Sequence, residues 1–278
     1  MICHSCGSKK LKKYFLKFGI SLLFTLSQAG YAWSAQYHEA IVKDAMTQVD
    51  PKTKRAMRVL LGPMPASVWS TWADDVRSKD RSYSRWHHIH VDEIDKPCQD
   101  RENIKCGILL SVDVLRGKSE ALPKDVALKL LLHLVADVHQ PLHVSMPKFY
   151  NGKCFFKHNK TYSFHRFMDY EVVRKSYRGV SDVADIISSV RLFEDIKVGG
   201  TVSDWLHQTA SYQYMIMPNL KKGNVPTYCK TGKSRVEPID LNSDQIEVMA
   251  QISWLQMARA SKRLAYMLDD IFLDGIKS

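Results

Sequence analysis

His133 and Asp137 stand four residues apart in LLHLVADVHQPLHV (131–144), and His165 and Asp169 repeat that spacing in SFHRFMDY (163–170). Residues at i and i+4 share one face of a helix, so each pair can offer an imidazole and a carboxylate to a single cation. Pro141 ends the first helix and leaves His143 just past the break, displaced enough to serve a neighbouring ion. Three further segments hold ligand types. They are Trp33 to His38, the acids Asp74 and Asp75 in TWADDVR (71–77), and His87, His88 and His90 in RWHHIHVDE (85–93). Ionisable groups embedded in apolar flanks need compensation when buried, and a cluster marks a metal site more reliably than any single histidine. Mixed imidazole and carboxylate ligands in an exported chain suit zinc. The chemistry that follows is metal-assisted hydrolysis. No Ser/His/Asp or Cys/His arrangement offers a competing nucleophile.

The N-terminus bears on that site. Lys9, Lys10, Lys12, Lys13 and Lys17 precede an apolar run from Phe18 to Leu26, and Gly30-Tyr31-Ala32 supplies small residues around a cleavage point. This pattern predicts a signal peptide over residues 1–32, cut after Ala32, with the mature chain at 33–278 secreted or periplasmic. Removing the leader's five lysines, with no acid to offset them, lowers the formal charge from +11 to +6. That excess permits an anionic partner but does not by itself specify one. Cys98, Cys106, Cys154 and Cys229 remain after cleavage. An even number in an exported chain predicts two disulfides, with the pairing open.

The elements that must position these groups are helical. Amphipathic spacing predicts helices over 37–46, 51–61, 108–115, 124–138, 164–176, 183–193, 202–215 and 244–272, and strand alternation is scarce. Polar and Gly- or Pro-containing stretches at 77–95, 147–160 and 218–240 read as loops. The fold class is all-α, one compact multi-helix domain. No interdomain linker or internal repeat interrupts it.

The order W-x4-H, WAD-x2-R, WHHI, H-x3-D-x2-QPLH and H-x3-D resembles the S-one/P-one family of trinuclear-zinc nucleases and 3′-nucleotidases, with a weaker echo around Arg263-Leu264-Ala265. The resemblance implies three zinc ions. One would take Asp74, His87, His133 and Asp137, and a second the α-amine and carbonyl of Trp33 with His38 and the bridging Asp137. The third would take His143, His165 and Asp169. It also implies hydrolysis of single-stranded DNA, RNA and 3′-nucleotides by metal-activated hydroxide attack on phosphorus, releasing 5′-phosphate products. Asp74, Asp137 and Arg77 would be catalytic, Arg77 also at a phosphate-contacting position that suits its guanidinium fork. No stable protein partner is implied.

The resemblance implies that His88 and His90 are substrate-binding, at the base-contacting positions where the family usually has an aromatic residue and an Asp or Asn. Asn151 to Cys154 replaces a Gly-Gly-Asn stretch. Imidazoles can still stack and hydrogen bond there. His139 reads as a hydrogen-bonding helix residue facing away from the ligands, His158 and His207 as solvent or packing residues, and Trp72 and Trp86 as core wedges. Two alternatives differ in class: a zinc phospholipase C and a catalytically silent zinc binder. The short Trp33 to His38 separation and Asp169 as the last ligand speak against the lipase.

Overall fold

The computed structural model describes residues 33–99, 102–145, 154–158, 160–174, 179–219, 227–229 and 236–274. The expected leader lies outside them, as does most of the 147–160 loop. The helices are α1 (Ala35–Gln48), α2 (Pro51–Leu61), α3 (Ala66–Trp69), α4 (Trp72–Lys79), α5 (Ile104–Leu115), α6 (Lys124–Asp137), α7 (Phe164–Arg166), α8 (Val180–Phe193), α9 (Val202–Ser211), α10 (Gln213–Ile216) and α11 (Ser243–Asp274). The all-α expectation holds.

Local chemistry sets many boundaries. Asp50 accepts from the Lys52 amide at 2.6 Å, Pro51 fills the first helical position and Gly62, at φ 77°, stops α2. Asn103 accepts from the Cys106 amide at 3.0 Å, so α5 starts a turn earlier than its apolar pattern suggests. Thr201 and Asp204 form a reciprocal capping box at α9. Gly107 in α5 leaves room for two neighbours. A Cβ there would lie 2.8 Å from Trp86 Cε3 and 2.7 Å from Leu134 Cδ1.

Two apolar clusters build the core. One gathers α2, α5, most of α6, α9 and the C-terminal half of α11. The other gathers Trp33, the start of α1, Phe164 to Val173, α8 and the N-terminal half of α11. Ala136 belongs to the second cluster while Leu134, Val135 and Val138 belong to the first, so the end of α6 lies at their seam. A buried network crosses the second cluster. Asp44 of α1 accepts from Arg191 Nε of α8 at 3.0 Å and from Ser261 Oγ of α11 at 2.5 Å.

Several expectations need correction. The 77–95 loop contains the end of α4 and a 3₁₀ turn over Arg81–His87. The helix expected over 202–215 breaks at Tyr212, whose amide bonds the Thr209 carbonyl at 3.2 Å, giving α9 and α10. That expected over 164–176 is one α turn followed by a π turn, Phe167–Glu171; residues 175–178 are outside the described set. The stretch around 155–163 forms an antiparallel hairpin of β3 (Phe155–His158) and β4 (Lys160–Ser163), to which β5 (Ile239–Asp240) pairs in parallel. Two very short strands, β1 (Ile89–His90) and β2 (Val144–Ser145), pair in parallel and lock His90 beside Ser145. The four cysteines form Cys98–Cys106 and Cys154–Cys229 disulfides. No helix among the described residues is long and apolar enough to cross a membrane.

Candidate metal centre

Asp137, the last residue of α6, has no exposed surface and faces three imidazoles. Its Oδ1 lies 3.1 Å from His38 Nε2, and its Oδ2 lies 3.0 Å from His87 Nδ1 and 3.1 Å from His133 Nε2. Asp74 Oδ1, from α4, stands 3.8 Å from His87 Nδ1 and 3.9 Å from His133 Nε2. The His38 and His133 rings stack at 4.1 Å between centroids with 7° between their planes. Asp137 therefore lies within 3.1 Å of His38 on one side and of His87 and His133 on the other, and His133 is common to both neighbouring groups.

Three groups of potential ligand atoms emerge among the described residues: His38, His133 and Asp137; Asp74, His87 and His133; and His143, His165 and Asp169. In the third, His165 Nδ1 lies 3.4 Å from Asp169 Oδ2, and the His143 and His165 rings are 5.2 Å apart. The π turn carries Asp169, a local widening of the helix found often at functional sites. Ser34 donates its amide to the Asp169 carbonyl at 3.0 Å, tying the Trp33 segment to this group. His143 Nδ1 is 3.6 Å from Asp137 Oδ1, which joins the third group to the other two.

The hydrogen bonds say what these groups require. His133 Nδ1 donates to the Ser70 carbonyl at 2.7 Å, and His38 Nδ1 donates to the Trp33 carbonyl at 2.7 Å. A neutral imidazole has one N–H. Each ring therefore turns a bare Nε2 toward Asp137, lone pair against carboxylate, unless a proton or a cation lies between. Fixing one nitrogen on a carbonyl is the usual way a protein orients a metal-ligating histidine. His143 goes further, with both ring nitrogens buried and without a hydrogen-bond partner, as is Asp169 Oδ2. Such orphans cost about 1–3 kcal/mol each unless something binds them. The residues fit a group of cations.

Electrostatics agree. Burial opposes the Asp137 charge, but His133, His143 and the hydrogen bonds from His133 and His38 overcome it and hold its carboxyl well below the usual range. Burial opposes the His133 charge too, yet the Asp137 and Asp74 carboxylates raise it to about 9. His143 is pushed well down by burial and stays neutral, ready to donate a lone pair. Asp169 is pushed well up, chiefly by burial and then by Asp137 and Asp74, against a 2.6 Å hydrogen bond from Gln140 that works the other way.

The remaining expected site residues sit around this centre. Arg77 Nη2 pairs with Asp74 Oδ1 at 2.9 Å, one helical turn away. His88 and His90 are half-buried beside it, His88 with a pKa lowered first by burial and then by His87 and His90. Trp33 is fully buried. His139 faces away as expected, into a hydrogen bond with Arg263, and His207 pairs with Asp95 at 2.8 Å on the surface. Trp72 and Trp86 pack against the first core cluster. The His158 side chain and residues 151–153 lie outside the described residues.

Sequence reasoning missed the groups that hold the ligands. Gln140 bonds Asp169, Gln213 Nε2 donates to the Pro141 carbonyl at 3.0 Å and also to that of Val144, and Gln256 Nε2 donates to the His139 carbonyl at 2.8 Å. Gln140 lies inside the QPLH motif and carried a signal; the other two had none.

A bundle of helices with buried histidine and carboxylate groups converging around Asp137 defines a class of protein with candidate metal-ligand groups at one centre. The chain belongs to the S1/P1 Nuclease family, whose model matches residues 33–273. It is similar to Nuclease S1 of Aspergillus oryzae (strain ATCC 42149 / RIB 40), 25% identical over 269 residues that cover 88% of this chain and 93% of that protein. It is also similar to Endonuclease 2 of Arabidopsis thaliana, 28% identical over 134 residues, covering 41% and 46% respectively. Family membership makes it a phosphodiester-hydrolysing enzyme of the nuclease type.

Proposed function

We propose that this protein is an exported, zinc-dependent phosphodiesterase that cleaves single-stranded DNA and RNA to 5′-phosphate products and also hydrolyses 3′-nucleotides, releasing their phosphate. The observation that carries the reading is the buried, unpartnered pair of nitrogens on His143 beside Asp169, joined through Asp137 to the other two groups. Three zinc ions are the reading for three groups: Asp74, His87, His133 and Asp137; His38, Asp137 and Trp33; His143, His165 and Asp169.

The Trp33 contribution is its carbonyl and the α-amine that cleavage after Ala32 would free. When bound, zinc supplies Lewis acidity, lowering the pKa of water toward neutrality and screening phosphate charge. The chain's own residues do the rest. Asp137 stays ionised and spans two groups. Asp74 keeps Arg77 close, and with 16% of its side chain exposed the guanidinium can meet the non-bridging oxygens of a phosphate. His88 and His90 offer rings and polar edges to a base.

The test is to incubate the zinc-loaded chain 33–278 with single-stranded DNA, RNA, a 3′-nucleotide and phosphatidylcholine, with and without chelator. Chelator-sensitive cleavage of the nucleic acids is expected, with three zinc ions per chain by elemental analysis. Cleavage of lipid alone would move the protein to the phospholipases. No cleavage of any substrate would leave a silent zinc binder.

A further inference from the structure

The chain leaves the metal centre at Asp74 and returns to it at His87, with Asp74 Oδ1 and His87 Nδ1 only 3.8 Å apart. Residues 75–86, the end of α4 and most of the 3₁₀ turn, thus form an excursion, a loop in the chain's path, closed at both ends on the expected ligands. Its C-terminal half is also held, because the Tyr83 ring meets Trp72 edge-on at 6.3 Å and Trp86 at 6.2 Å. The cations on this loop are Arg77, Lys79, Arg81 and Arg85, against the acids Asp75 and Asp80. Arg77 is turned inward to Asp74, whereas Lys79, Arg81 and Arg85 are exposed and form no ion pair with any described residue. Exposed Arg166, next to His165, is likewise without an ion pair among the described residues.

Solvated lysines and arginines occur on every surface, but few are tethered at both ends to a site that acts on phosphorus. Three unneutralised charges on a braced loop at the edge of such a site match the repeating charge of a polynucleotide better than the single phosphate of a nucleotide. We infer that Lys79, Arg81 and Arg85 form a phosphate-binding rail, which engages the backbone of a single-stranded polynucleotide on one side of the scissile phosphate and gives the enzyme a preference for polymer over short substrates. This rests on the nuclease reading above and adds substrate length to it.

Each phosphate contact to a single strand contributes about 0.7 to the slope of log affinity against log salt, so the rail contributes about 2 in total. The experiment compares the zinc-loaded parent with the K79Q/R81Q/R85Q variant. It measures kcat/KM on single-stranded DNA of about 20 nucleotides and on a dinucleotide, across a sodium chloride series. All three positions are exposed, and circular dichroism checks that the variant is folded. The expected result is a loss of about tenfold or more on the long strand at low salt, a smaller loss on the dinucleotide, and a salt slope for the long strand shallower by about 2. Equal losses on both lengths, or an unchanged slope, would overturn the rail while leaving the nuclease reading intact. A parent that cleaves neither substrate overturns the nuclease reading and the rail with it. Binding to anionic vesicles that the variant loses, with no length dependence on DNA, would assign the surface to a membrane and overturn the inference as well.

Discussion

Arg263 donates from Nη1 to Nε2 of His139 across 2.9 Å, and His139 donates from Nδ1 to the Val135 carbonyl at 2.7 Å. Val135 needs that partner, because carbonyls in the last turn of a helix lose their intrahelical donors. Burial, and then Arg263 itself, hold the His139 pKa well below its usual value, so Nε2 remains an acceptor. Two side chains of α11, Arg263 and Gln256, thereby brace the turn between Asp137 and His143. Arg263→Met would leave buried His139 Nε2 without its 2.9 Å donor and half-buried Gln208 Oε1 without its 2.8 Å one. We expect a loss of about 2–3 kcal/mol by urea denaturation, with a smaller loss for Arg263→Lys. A change under about 0.5 kcal/mol would show that the brace is dispensable.

This brace illustrates what was hard to read from the chain. The pairs His133 with Asp137 and His165 with Asp169 were legible because helical spacing alone puts them on one face, and α6 follows its apolar pattern almost to the residue. The partners of those ligands were not legible. The acceptor for His133 is the Ser70 carbonyl, a backbone atom with no residue signature, and Arg263 looks like any charged helix residue until packing buries it to 4% exposure. The π turn at Asp169 likewise has no spacing code that separates it from α-helix. Cysteine number predicted two disulfides, but the choice of Cys154 with Cys229 depends on how segments far apart in the chain meet.

Asp137→Asn keeps the shape and removes the charge. The side chain now accepts from or faces His38, His87 and His133 within 3.1 Å, so an amide leaves at least one nitrogen lone pair opposed by an amide atom that cannot replace a carboxylate. Loss of groups that merely orient metal ligands costs about 10–100-fold in affinity or activity, and loss of a ligand shared as proposed above should cost more. We expect nuclease activity to fall by more than about a hundredfold while far-UV circular dichroism stays the same. Full activity would remove Asp137 from the site.

Stability should depend on pH with opposite sign in the stripped and zinc-loaded chains. His133 is raised to about 9 in the absence of metal, by Asp137 and Asp74 acting against burial, so its contribution is complete below the unfolded value of 6.5 and lost as pH rises through about 9. Asp169, raised by burial, acts in the same direction. His87, His139 and His143 are lowered, so their contributions are lost only as pH falls below about 6.5 and are constant above it. Above about pH 7.5 the stripped chain should therefore lose stability. The loaded chain should hold or gain it, because zinc competes with a proton that grows scarcer. Melting curves with and without chelator from about pH 7 to 9.5 check this, and parallel curves would contradict it.

Gly107→Ala tests whether packing around α5 sets the position of His87. Alanine favours a helix by about 1 kcal/mol over glycine, which alone predicts stabilisation. The new methyl would sit 2.8 Å from Trp86 Cε3 and 2.7 Å from Leu134 Cδ1. Leu134 can swing its terminal methyl aside, but Trp86 is a rigid ring wedged against the core, and overpacking of this kind costs about 1–3 kcal/mol. The clash should outweigh the propensity and lower stability by about 1 kcal/mol. Because His87 follows Trp86 directly, relief of the clash moves the imidazole relative to Asp74 and Asp137. Zinc affinity, measured by competition with a chelator, should fall together with the melting temperature. A more stable protein with unchanged affinity would mean that the ring yields without disturbing its neighbour.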